Sequence, residues 1–175
     1  VEGAEADDII GTLVHKYNQY EKDILILSSD KDFMQLQIYN NVKQYSPVHK
    51  KFIRTADAEL YLKEHIIKGD RGDGIPNVAS PDSVFVTGGR QRPMRKKLIE
   101  QIANTNVLTA GDVSEEIKRN FARNKQLVDL SETPEELQDE IVSAYTNYDM
   151  KDRSGLFNYF VNNKLKNLME NLSEF

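Results

Sequence analysis

Seven carboxylates fall in three short clusters, Glu5-Ala6-Asp7-Asp8, Ser29-Asp30-Lys31-Asp32 and Gly69-Asp70-Arg71-Gly72-Asp73. Each cluster sits where a short apolar run meets a turn or a helix end. Acids placed there add little to a core, but their oxygens are the ligands that hard divalent cations such as Mg²⁺ prefer. Asp30 and Asp32 are two apart in a turn, so both side chains can converge on one ion. Asp70 and Asp73, like Glu5 and Asp8, are three apart and share a face where the backbone is helical. Brought to one place, the three clusters repel one another strongly unless cations fill the gap. A pair of such ions would polarise a phosphodiester, activate water and stabilise the leaving oxygen. Taken singly, Asp30-Lys31-Asp32 is ordinary turn chemistry and Asp7-Asp8 an ordinary helix start. The three together point to phosphate-ester hydrolysis.

Other chemistries find little support. No Ser–His–Asp, Cys–His or nucleophile-elbow pattern competes, and Ser28 and Ser29 are read as hydrogen-bonding the loop backbone. The chain has no cysteine, which removes disulfides and thiolate zinc sites and fits a reducing cytoplasm. His15, His49 and His65 share no ligand spacing, so a His-based zinc site is not expected. No apolar stretch approaches the roughly 18 residues that span a bilayer.

The elements that must position the acids are legible from periodicity. Ile9, Ile10, Leu13, Val14 and Tyr17 form one apolar stripe of a helix over 5–20, with Asp7 and Asp8 in its first turn, where the helix dipole favours carboxylates. Residues 23–28 form a short continuous apolar run, expected as a strand buried on both faces of a parallel sheet. Asp30 and Asp32 follow at its C-terminal end, the edge where open α/β sheets bind ligands. A short helix over 33–38, a strand over 41–46 and a hairpin partner over 50–54 come next. Asp57 is the expected N-cap of a helix through Lys68, which Gly69 terminates. Residues 70–93 read mostly as loop, interrupted at 83–87. Helices are expected over 94–104 and near 113–128, 134–147 and 153–172. Tyr145, Tyr148, Phe157, Tyr159 and Phe160 follow helical faces and are read as packing.

The net charge of −5 by itself argues against nucleic acid, but its distribution matters more. Metal ions would neutralise the acidic site. Base collects at Lys50 and Lys51, and again at Arg90, Arg92, Arg95, Lys96 and Lys97. A charge run is most often a solvated face. Five cations at a loop-to-helix junction also suit phosphate contacts, which are sequence-independent and salt-sensitive.

Glu5-Ala6-Asp7-Asp8, then Ile26-Leu27-Ser28-Ser29-Asp30-Lys31-Asp32-Phe33, then Lys68-Gly69-Asp70-Arg71-Gly72-Asp73-Gly74-Ile75-Pro76 resemble the motif series of the 5′→3′ exonuclease and flap endonuclease family. Residues 41–51 and the ending from Tyr159 carry a narrower resemblance to its T-even bacteriophage ribonuclease H branch. The resemblance implies that Asp7 and Asp30 ligate or orient the catalytic Mg²⁺, with Glu5 and Asp8 beside them. Asp32, Asp70 and Asp73 would hold a second, wetter ion, and Mn²⁺ would substitute. It also implies removal of RNA primers or flaps, on RNA–DNA hybrid and branched duplex DNA, by a phage protein in the host cytoplasm. A single-stranded-DNA-binding protein is an implied partner. The family draws further metal-site aspartates and a basic arch from an N-terminal portion. The chain starts at Val1 without an initiator methionine and is read as a C-terminal portion, with that half as a separate partner. Asn77-Val78-Ala79-Ser80 replaces the family's glycine-rich, duplex-gripping hairpin.

The expected architecture is α/β: part of a parallel-sheet nuclease core over 1–76, then a mainly helical DNA-binding lobe over 77–175. The expected activity is that of a metal-dependent 5′-nuclease. The rival is a binding half that grips duplex DNA and hydrolyses nothing. A PIN-like endoribonuclease is disfavoured, since that class lacks the Gly69–Pro76 segment.

Overall fold

The computed structural model describes residues 1–20, 22–104, 111, 113–148 and 155–172. They divide into two compact units, Val1–Ser143 and Ala144–Phe175. The first unit is the mixed α/β core. Helix α1 spans Ala6–Tyr17, and its acidic first turn and basic last turn both suit the helix dipole. Strands β1 (Ile24–Leu27), β2 (Val42–Ser46) and β3 (Lys51–Ile53) form a sheet in that order. β1 pairs with β2 in parallel, from Ile24 opposite Val42 to Leu27 opposite Tyr45, and β2–β3 is the expected antiparallel hairpin. A 3₁₀ helix over Asp32–Ile38 makes the β1–β2 crossover. Val14, Ile26, Phe33, Leu36 and Val42 close a small core between these elements.

One expectation for β1 fails. Ile26 is buried, but Leu25 and Leu27 are 54% and 65% exposed, so the strand is covered on one face only. An apolar run reports what a strand can bury; the neighbouring elements decide what is covered, and none of those described lies over this face.

Helix α2 (Ala58–Lys68) starts at Asp57, whose carboxylate accepts the Leu60 N–H at 2.9 Å, and ends at Gly69. Helices α3 (Lys96–Ala103) and α4 (Glu115–Val128) pack against it through a second core, in which Ile66, Ile67, Ile75, Val78, Ile102 and Phe121 meet across position 76. The segment between α2 and α3 has no regular structure, and the expected element at 83–87 is a series of turns. Buried amides from α4 satisfy its backbone instead. Asn124 donates to the Ile66 and Pro76 carbonyls, both at 2.8 Å. Asn120 donates to Val78 at 2.9 Å and to Ser80 at 3.1 Å. A 3₁₀ turn at Leu130–Glu132 and helix α5 (Glu135–Thr146) follow.

The second unit holds α6 (Leu156–Asn162) and α7 (Lys166–Glu170). The single helix expected over 153–172 is therefore broken; its residues 153 and 154 lie outside the described ones. Lys164 adopts φ +55°, while the Lys164 and Leu165 N–H groups donate to Val161 and Phe160 at 3.1 and 2.9 Å. That is the hydrogen-bond pattern that closes a helix through a left-handed residue. Of the aromatic set expected to pack, Phe160 is buried, and the other four are half or more exposed.

Candidate metal centre

The loop after β1 is pinned by β2. Asp30 donates its N–H to Ser28 Oγ at 3.1 Å, and its own Oδ1 accepts the Asp32 N–H at 3.0 Å. The buried Gln44 amide donates to the carbonyls of Ser28, at 3.0 Å, and Asp30. Ser29 and Ser46 share a hydroxyl hydrogen bond of 2.7 Å. Ser28 thus bonds the loop backbone as expected, while Ser29 reaches across to β2. Asp30 and Asp32 are carried on a turn whose polar groups are matched from below.

The third cluster is shaped by Gly69, which has φ +64°. Asp70 Oδ1 accepts the Gly72 and Asp73 N–H groups at 2.6 and 3.3 Å, and the Asp70 carbonyl accepts Ile75 N–H at 2.6 Å. A tight turn results, with the second Asp70 oxygen left outward. On α1, Asp8 is tied down at both oxygens, by Glu5 N–H at 3.0 Å and Thr133 Oγ1 at 3.2 Å.

The electrostatics bring the clusters together. Burial pushes the Asp7 carboxyl up, and the charges of Asp30, Glu5, Asp8 and Asp73 add to the rise. Burial pushes Asp32 up to about 6; His65 opposes the shift, and Asp30, Asp70 and Asp7 reinforce it. Tyr61 is raised to about 12, first by burial and then by Asp32, Asp30 and Asp70. Between them, Asp7 and Asp32 feel every other acid of the three motifs. This is the uncompensated charge that a divalent ion relieves, so the residues present fit one.

The site also contains a residue that the sequence reading set aside. His65, on the last turn of α2, places Nδ1 at 3.4 Å from Asp32 Oδ1 and Nε2 at 3.5 Å from Asp70 Oδ2. The Tyr61 ring meets it edge-on at 5.8 Å. Tyr61 and His65 line an open pocket of about 590 Å³ together with Asp30, Asp32 and Asp70. The available signal was position: His65 lies four residues after Tyr61 and four before Gly69, on the turn that delivers Asp70.

The basic residues divide in two. Arg92 donates to the Ala79 carbonyl at 2.9 Å and pairs with Glu116 at 3.2 Å, and Lys96 lies 3.6 Å from Glu100. Arg90, Arg95, Lys97, Lys50 and Lys51 are exposed, with no ion pair among the described residues.

The Asp32 shift has a testable sign. The folded chain holds this proton with a pKa of about 6 against 3.8 for the free group, so metal-free stability falls as pH rises through that window. Discounted for the water that reaches the carboxylate, the cost is about 1–2 kcal/mol, or roughly 3–6 °C in melting temperature. Asp32→Asn should match the parent near pH 4 and exceed it by that margin at pH 7, measured by calorimetry in chelator. A constant difference across pH would contradict the crowding of acids around Asp32.

An acid-lined pocket at the C-terminal end of β1 in a small mixed sheet, followed by helices, defines the 5′-nuclease class of fold. Solved structures agree. A mutant phage T5 5′-exonuclease superposes with TM-score 0.53 at 18% identity, over 82% of this chain and 65% of that one. A bacteriophage T5 flap endonuclease solved with DNA and metal ions superposes equally well, over 82% and 59%. Residues 56–175 match the family described as T4 RNase H, C terminal, and residues 1–67 match the 5′-3′ exonuclease N-terminal resolvase-like domain. The chain belongs to the T4 RNase H family. Ribonuclease H of Enterobacteria phage T4 is 35% identical over 176 residues, which cover 98% of this chain and 58% of that protein. The 5′-3′ exonuclease of Buchnera aphidicola is 40% identical over 85 residues, covering 43% and 29%.

Proposed function

We propose that this chain supplies metal-binding acids and a duplex-gripping surface to a Mg²⁺-dependent, structure-specific 5′-nuclease that removes RNA primers and flaps during replication. One observation carries the reading: burial, reinforced by the mutual repulsion of carboxylates from three segments, raises the proton affinity of Asp7 and Asp32. Asp7 and Asp30 hold the catalytic position, with Glu5 beside them and Asp8 bracing the start of α1. Asp32, Asp70 and Asp73 hold the second. Mg²⁺ or Mn²⁺ bound there supplies electrophilic activation of the phosphodiester and of the attacking water. The protein's own part is to fix the carboxylates before substrate arrives, through Gln44, Ser28 and the Gly69 turn.

The surface for duplex DNA is the loop before α3. Arg95, Lys96 and Lys97 surround the positive end of that helix, whose first turn has no acid. The arrangement is unfavourable for an isolated helix and favourable for a bound phosphate. A single-stranded-DNA-binding protein is a further partner suggested by the family. Catalysis is proposed to need the additional carboxylates that the resemblance places in an N-terminal portion.

The test is cleavage of a 5′-labelled RNA–DNA flap in Mg²⁺, by the chain alone and with that portion supplied separately. Cleavage in either preparation that chelator abolishes supports a metal-dependent nuclease. Duplex binding without cleavage in both would replace it by the DNA-gripping half.

A further inference from the structure

We propose that His65 supplies a ring nitrogen to the divalent ion held at Asp70 and Asp32, and so biases that position toward first-row transition cations, Mn²⁺ among them, over Mg²⁺. The inference rests on the metal-centre reading above and adds a ligand that none of the acidic motifs contains. One oxygen from each of Asp32 and Asp70 and one nitrogen of His65 lie within 4.8 Å of one another. The His65 side chain is 12% exposed, and its Nδ1 is enclosed without a hydrogen-bond partner.

The two ring nitrogens face different carboxylates, and this assigns their tasks. Nδ1 is sealed, so it cannot meet an ion that keeps its waters. Nε2, 3.5 Å from Asp70 Oδ2, is the nitrogen left for the ion. Donors about 2.1 Å from one octahedral ion stand about 3 Å apart when adjacent, so the pair needs to close by only about half an ångström. Nδ1 lies 3.4 Å from Asp32 Oδ1, and a small closure there would make the carboxylate oxygen the acceptor that fixes the tautomer of a ligating histidine, with the other Asp32 oxygen left for the ion. The edge-on Tyr61 ring restrains the imidazole plane. A neutral nitrogen also adds a ligand without adding a further negative charge to a crowded acidic site. Imidazole suits later first-row ions best, and Mn²⁺, although it too takes mainly oxygen ligands, accepts a nitrogen more readily than the smaller and more strongly hydrated Mg²⁺.

The experiment is Mn²⁺ titration of the full chain, followed by pulsed electron paramagnetic resonance for nitrogen bound directly to the ion. The parent should show ¹⁴N modulation that ¹⁵N-histidine labelling replaces, a change that leaves folding untouched. His65→Gln should lose the modulation and about tenfold in Mn²⁺ affinity, while Mg²⁺ affinity measured by competition stays within about twofold. Bound Mn²⁺ without nitrogen modulation, or modulation that survives in a folded His65→Gln, overturns the assignment and leaves the acidic site standing. No bound Mn²⁺ at all overturns the metal-centre reading, and this inference with it.

Discussion

Asp30→Asn is expected to lower the proposed flap cleavage, assayed with the N-terminal portion supplied, by about a thousandfold at saturating Mg²⁺, the equivalent of about 4 kcal/mol of transition-state stabilisation. The loss should be chemical and not structural. Asp30 is exposed, and the hydrogen bond its Oδ1 accepts from Asp32 N–H is one that the asparagine carbonyl reproduces. The turn therefore survives while the charge disappears. That charge acts on both Asp7 and Asp32, the two carboxyls of the site whose proton affinity is raised. Duplex affinity should stay within about twofold, because the cations proposed to bind phosphate belong to another segment. The reciprocal variant is Arg95→Ala with Lys97→Ala. Arg92 and Lys96 are poorer choices, since each already faces a glutamate. The double change should weaken binding and flatten the dependence of log affinity on log salt by about two units of slope. Equal binding losses from the acidic and the basic variants would end this division of labour.

What could be read from the sequence was what local chemistry decides. The α1 stripe, the Asp57 cap, the Gly69 stop and the β2–β3 hairpin depend on residues a few positions apart, and each is where its pattern requires. The acidic clusters were legible because carboxylates at element ends have few structural uses. Three features depended on distant partners. Exposure of Leu25 and Leu27 is set by what covers β1. The employment of Arg92 is set by Glu116, which approaches from α4. His65 was discounted because no second histidine stands at a ligand spacing, yet its partners are carboxylates of two other segments, brought near by the packing of α2 on the 3₁₀ helix. A mixed ligand set escapes a search for repeated histidines: here a single imidazole on the last turn of α2 meets acids carried by the loop after β1 and by the Gly69 turn.

Gly69→Ala is expected to destabilise the protein by about 3–4 kcal/mol and to disperse the proposed metal centre as it does so. Two costs add. A backbone at φ +64° and ψ −177° is reached essentially by glycine alone and costs another residue about 1–3 kcal/mol. Here there is also no room: an added Cβ would lie 2.3 Å from the Ile75 carbonyl oxygen and 2.7 Å from that of Pro76. Those atoms are backbone, so no rotamer change relieves the overlap, and overpacking of this kind adds about 1–3 kcal/mol. Ile75 and Pro76 cannot simply retreat, because Ile75 N–H is bonded to the Asp70 carbonyl and Pro76 is held by Asn124 and Arg123 of α4. Moving them opens the turn that presents Asp70 to His65. Gly74→Ala separates the two costs. Gly74 has φ +75° but nothing within 4 Å of an added Cβ, so it should lose only the conformational share, about 1 kcal/mol, with Mn²⁺ affinity intact. Urea unfolding and Mn²⁺ titration of both variants decide the matter. If Gly69→Ala loses no more stability than Gly74→Ala, the turn has slack against Pro76, and the rigid presentation of Asp70 argued from its packing is wrong. If it loses the larger amount, the close approach of two backbones at Gly69 holds the third acidic cluster in register with the second.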